Sequence, residues 1–254
     1  MKDKPHAYVL CSNPRSGTTL LCDMLAQTGV AGRPDSFFGA QHLSDWSTDW
    51  GIAEAADPDD PHFTEKYFAA MRREGQGGTP LFGLRLMGVD LGAACAWLGR
   101  RHPGLPDDAA RFAAAFGPAR FIHLSRADKL AEAVSYLRAE QSGLWHGRPD
   151  GSALEELPPA GPSGYDAAAL TRRITELRAL DAAWHVWFEA NDIQPLRLRY
   201  ESLSDDPQKT LAQVLEFIGL DPGVAANVAP GTRKLADATS AAWMARYKAE
   251  TGHA

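Results

Sequence analysis

The chain has little cysteine, no long apolar run and no surplus of positive charge. Its three cysteines, Cys11, Cys22 and Cys95, are odd in number and form no Cys-x-x-Cys pair. That argues against a disulfide framework or a thiolate metal site, and for reduced thiols in a core. No apolar stretch approaches the roughly 20 residues that a membrane-spanning helix needs, so no stable membrane insertion is expected. With 26 basic against 32 acidic residues the formal net charge is −6, which supplies no broad basic face for nucleic acid. A small anion is not excluded, because a few local arginines make a site. The opening Met-Lys-Asp-Lys-Pro-His leads straight into an apolar segment, so no secretory leader is expected and a cytoplasmic location fits. No internal repeat and no cluster with metal-ligand spacing is visible.

What is present centres on residues 7–25. Ala7 to Cys11 is a short apolar run, as in a strand buried on both faces of a parallel sheet. Ser12 to Gly17 is small, polar and turn-forming. From Thr18 the period changes, and Leu20, Leu21, Met24 and Leu25 fall on one helical face. Strand, tight loop and helix N-terminus make an anion cradle: the first N–H groups of the helix are unpaired and its dipole is positive there. Gly17 permits close approach, Ser16, Thr18 and Thr19 add hydroxyls, and the Arg15 fork matches phosphate or sulfate oxygens. The ATPase loop is excluded in its usual form. It needs glycine and lysine where this chain has Ser12 and Thr18. A capped turn with an incidental arginine is the plainer alternative.

Further along, strands are expected at 81–87, 119–124 and 196–200. Helices are expected at 61–74 (opened by Asp60 and Pro61, stopped by Gly75), 91–101, 107–116, 128–137, 166–191, from Pro207 to Gly219, and 240–249. Residues 30–52 show no clean period, and residues 146–163, rich in Gly and Pro, are expected to form a mobile loop. Alternating strands and helices predict an α/β chain: one domain over 1–254, a three-layer P-loop-like fold with a mostly parallel central sheet flanked by helices.

The run Pro14-Arg15-Ser16-Gly17-Thr18-Thr19 resembles the loop of sulfotransferases that binds the 5′-phosphosulfate of PAPS, 3′-phosphoadenosine 5′-phosphosulfate. Arginine rather than lysine at 15, followed by Gly32-Arg33-Pro34-Asp35-Ser36-Phe37-Phe38, resembles the Stf0 group, which includes trehalose sulfotransferases. The resemblance extends through Arg126 and Ser135, whose counterparts hold the 3′-phosphate, and through Tyr200 to Gly219, taken as packing and helix-start residues. It reaches the helix with Trp243 and Tyr247, and it implies a basic loop at Arg233 and Lys234 covering the nucleotide.

The implied reaction is in-line sulfuryl transfer from PAPS to a hydroxyl of a carbohydrate or glycolipid, leaving PAP and needing no metal. Arg15 would stabilise the leaving phosphate. Phe37, Phe38, Trp46 and Trp50 are candidate flat surfaces for a sugar, or simply core. One departure matters. Where trehalose sulfotransferases carry a glutamate proposed as general base, this chain has Ser36, so Asp35 is the first replacement and His42 the second. A non-catalytic PAP-binding module and an ATP-dependent phosphotransferase stay open as rivals. The family includes dimers, which leaves a homodimer open.

Overall fold

The computed structural model describes residues 5–39, 42–52 and 56–252. Strand β1 (Ala7–Ser12) is central, flanked by β2 (Phe82–Met87) and β3 (Ala119–Ser125), with β6 (Leu196–Arg199) beyond β3. Every pairing in this sheet is parallel. Both neighbours of β1 run in level register, Ala7 facing Phe82 on one side and Ala119 on the other. The three strands therefore end together, and their loops emerge along one edge, where open α/β sheets bind ligands.

The side-chain period of two sorts β1 between two cores. Ala7, Val9 and Cys11 point into a core shared with Phe82, Leu84, Leu86 and Phe121. That side is closed by α3 (Pro61–Gln76), α4 (Leu91–Arg101), α5 (Asp108–Phe116) and α7 (Ala167–Ala190). Tyr8 and Leu10 point the other way, toward α1 (Thr18–Gln27) and α9 (Pro207–Phe217), with Ile122, Leu124 and Leu198. Each large side chain buried this way contributes about 1.5–3 kcal/mol. A third cluster joins α6 (Lys129–Ser142), α7 and α10 (Ala238–Thr251) through Val134, Leu170, Leu177 and Tyr247. The expected three-layer arrangement is thus present. No helix among the described residues is long and apolar enough to cross a membrane.

Helix starts follow the capping chemistry. Asp60, Asp107, Asp128, Asp166, Asp206 and Asp237 each accept backbone N–H bonds at the first turn of α3, α5, α6, α7, α9 and α10. The opening of α1 has no such cap, because Gly17 stands there.

Three expectations change. Gly75 does not stop α3, which continues to Gln76; a Cβ at 75 would meet the Phe82 ring at 2.5 Å and the Gly83 carbonyl oxygen at 2.7 Å. The glycine serves close helix–strand approach instead. Residues 43–49 form a short helix, α2 (Leu43–Asp49), rather than irregular chain. Residues 146–163 are not one loop: β4 (Leu144–Gly147) pairs antiparallel with β5 (Ala153–Glu156) around a turn containing Asp150 and Gly151. The short helix α8 (Tyr200–Asp205) follows β6 directly.

Candidate active site

The loop after β1 is held from below before it offers anything above. Ser12 Oγ donates to the Leu124 carbonyl at 2.6 Å, and Ser16 Oγ donates to the Asn13 carbonyl at 2.6 Å. Asn13 Nδ2 donates to Asp181 at 2.6 Å; Lys129 bridges that carboxylate, at 2.6 Å, to the fully buried Glu132, at 2.7 Å. Burial pushes the Glu132 carboxyl up to about 7, against the pull of Lys129. These contacts commit the Ser16 hydroxyl to the loop itself, and Thr18 is buried. Of the three hydroxyls expected to face a ligand, only that of Thr19 lines the cavity above the loop.

Two residues of the loop have left-handed backbone, Arg15 at φ 68° and Gly17 at φ 90°. At Gly17 a Cβ would also meet the Tyr200 ring at 2.7 Å. Glycine is required there on both counts. The turn aims the Arg15 side chain across the cavity: Nε donates to Ser135 Oγ at 3.1 Å and a terminal nitrogen to the Trp145 carbonyl at 2.5 Å. Burial lowers the Arg15 pKa to about 10, with Arg126 adding to the effect, so the guanidinium stays charged at neutral pH.

Arg126 closes the same space. It donates to the Arg15 carbonyl at 3.4 Å and lies 4.3 Å over the Tyr200 ring, while its buried Nε has no hydrogen-bond partner among the described residues. Arg126, Ser135, Arg233 and Lys234 all line a cavity of about 540 Å³ with Arg15, Gly17, Thr19 and Tyr200. The expected anion residues are therefore brought together. Tyr200 is more than packing, since it carries Arg126. An uncapped helix N-terminus, an unpartnered guanidinium nitrogen and this volume suit a nucleotide with two anionic ends.

On the other side of Thr19 stands Arg85 of β2, which sequence reasoning placed only near a strand end. Its three nitrogens donate to Ser36 Oγ at 2.8 Å, Thr19 Oγ1 at 3.2 Å and Asp35 Oδ1 at 2.9 Å. Asp35 and Ser36 are thus joined to the loop through one guanidinium. His42 instead opens α2, Nδ1 4.0 Å from Asp45, with its ring beside Gly39. A second partner of the Thr19 hydroxyl was also missed: His146 on β4, Nε2 3.0 Å from Thr19 Oγ1 and 3.4 Å from Glu155 Oε2. The signal for Arg85 was a charged residue in an otherwise apolar strand. His146 sat in a stretch read as loop, and no local pattern marks it.

The aromatic candidates divide. Phe37 and Phe38 are 0% and 4% exposed, the first against Trp46, Trp50 and Phe82, the second edge-on to Phe68 and Trp97. They are core, and neither ring offers a face to a sugar. Trp46 and Trp50 stack on each other at 5.1 Å and are half-buried.

The chain is 32% identical over 272 residues to the trehalose 2-sulfotransferase of Mycolicibacterium smegmatis, covering 98% of this chain and 96% of that one. It is 32% identical over 264 residues to the trehalose 2-sulfotransferase of Mycobacterium tuberculosis, covering 96% and 94%. Among solved structures, the sulfotransferase domain from the Synechococcus PCC 7002 olefin synthase has the same fold, with a TM-score of 0.54 at 18% identity over 100% of this chain and 92% of that one. The Stf0 sulphotransferase family matches residues 7–250, and the chain belongs to that family.

Proposed function

We propose that the chain, as one domain over residues 1–254, transfers a sulfuryl group from PAPS to a hydroxyl of a carbohydrate or glycolipid acceptor. The observation that carries this reading is the convergence of Arg15, Arg126 and Ser135 on one cavity above an uncapped helix N-terminus. When bound, PAPS supplies an already activated sulfuryl group, so the protein's task is placement and charge stabilisation. Backbone N–H groups of residues 16–19, the Thr19 hydroxyl and Arg15 bind the 5′ end. Arg126 and Ser135 bind the 3′-phosphate, and Arg233 and Lys234 flank the cavity mouth. Arg85 and Asp35 face the acceptor side, where Asp35 takes the hydroxyl proton while Arg85 orients it. Trp46 and Trp50 offer the flat surface for the sugar. The two trehalose-named relatives support a sugar acceptor. A cytoplasmic setting suits the three unpaired cysteines.

Calorimetric titration with PAP, with ATP as control, tests the donor assignment. Tight PAP binding is expected, weakened about tenfold or more in Arg126→Ala, in line with loss of a charge-assisted bond. A folded sample that binds no PAP overturns the reading. A glycan panel with labelled PAPS tests the acceptor, and transfer confined to phenols or amines refutes the sugar assignment.

A further inference from the structure

Thr19 has one hydroxyl proton and two polar neighbours, Arg85 and His146. Arg85 donates to its oxygen at 3.2 Å, so the hydroxyl proton is free to turn to His146 Nε2 at 3.0 Å. In that arrangement Nε2 is an acceptor and the imidazole is neutral. An anion on the loop needs the same proton, because a hydroxyl bonds phosphate or sulfate oxygen only by donating to it. Once Thr19 turns to the anion, Nε2 faces two acceptors, the Thr19 oxygen and the Glu155 carboxylate at 3.4 Å. A bare nitrogen lone pair between two oxygen acceptors is satisfied by a proton on Nε2, and the Glu155 carboxylate beside it favours one taken up from solvent, giving the imidazolium, over one shifted from Nδ1.

We infer that His146 is a further residue of the donor site, neutral in the free protein and protonated from solvent when the 5′ anion binds at Thr19. This rests on the assignment of the cavity to PAPS and names a charge that the assignment leaves out. The charged surroundings fit both states. Arg15 from the loop and Arg85 from β2 face His146, Glu155 faces it from β5, and Arg233 of the C-terminal segment packs over the adjacent Gly147. Without an anion, burial and the two arginines hold the imidazole down at about 3. A bound dianion offsets those two cations, and the imidazolium then adds a third positive group at the 5′ end.

The test is PAP binding by calorimetry between pH 6 and 8 in buffers of different ionisation enthalpy, which counts protons taken up on binding. Wild type is compared with His146→Gln, so that titration of the ligand's own phosphates appears in both. Wild type should take up more protons at pH 6, with a difference approaching one per site. Its affinity should exceed that of the variant by about tenfold there, and by less at pH 8. Equal proton counts with PAP bound to both overturn the inference and leave the donor assignment standing. Absence of PAP binding to wild type removes both. Should the variant disturb the β4–β5 hairpin, imidazole ¹⁵N resonances of wild type give the same answer. His146 must be neutral at pH 6 alone and protonated in the PAP complex, and a ring neutral in both overturns the inference.

Discussion

The two sides of Thr19 are built by different means. On one side, the loop from Ser12 to Thr19 is made by local chain geometry: two left-handed residues, an uncapped helix start and hydroxyls turned inward. On the other, Arg85 and His146 arrive from positions 66 and 127 residues away in sequence. The first side is a scaffold that presents backbone donors. The second is an assembly of side chains from distant elements, Arg85 paired with Asp35 and a neutral His146 beside Glu155. The loop side is thus dominated by the positive charge of Arg15 and Arg126, and on the far side the charge of Arg85 is balanced by Asp35.

The contrast is broken most severely at Arg15. Arg15→Ala should lower turnover by about 100-fold or more, as for loss of a preorganised donor to developing charge. Steady-state rates with saturating PAPS read this directly, and near-normal turnover would reassign the residue. Next is Asp35→Asn. A general base contributes about 10²–10⁴-fold, so kcat should fall by about 100-fold while PAP affinity stays within about twofold. Equal loss of both would make Asp35 a structural partner of Arg85 and not a base.

Gly17→Ala tests the scaffold itself. The left-handed φ and the contact with Tyr200 should together destabilise the protein by about 1–3 kcal/mol. Because Tyr200 carries Arg126, PAP binding should weaken as well. Denaturant melts and calorimetry separate the two effects.

The smallest effect concerns Glu132. Its folded pKa, about 7 against an ordinary 4.5, means the folded protein binds the proton more tightly than the unfolded chain. Its contribution therefore falls as pH rises from about 4.5 to 7. His123 and His146 are buried and held down, to about 4 and about 3, so the unfolded chain binds their protons more tightly. Their contribution rises with pH up to about 6.5 and outweighs the single glutamate. Glu132→Gln removes that opposing carboxyl, so the rise in Tm across pH 4.5–6.5 should steepen, by about 2–4 °C per kcal/mol for a chain of this size. An unchanged slope would show that Glu132 does not titrate there.

The same division governs what could be read from the sequence. The strand, loop and helix of residues 7–25 and the Asp-capped helices were legible, because each is encoded within a few residues. Gly75 was misread since its reason, contact with Phe82 and Gly83, belongs to the next strand. For Phe37 and Phe38 a sugar surface and the core stay equally open in sequence, because aromatic residues in a loop carry no sign of which way they face; both face the core. The hairpin escaped notice because its strands are only four residues long, too short to show an alternating pattern, and are separated by Arg148-Pro149-Asp150-Gly151-Ser152. Arg85 and His146 follow from these limits, as partners chosen by the packing of distant elements.

The hairpin grips Arg15 twice at one residue, through the Trp145 backbone carbonyl and through the Trp145 ring, 5.8 Å from the guanidinium. The carbonyl half of that grip depends only on the path of the ribbon, and the ring half on tryptophan at 145. The exposed tip, from Arg148 to Ser152, touches neither Arg15 nor Thr19 among the described contacts. Tip and grip are therefore separable. Relatives are free to diversify the tip, and engineers to replace it, while the arginine stays aimed.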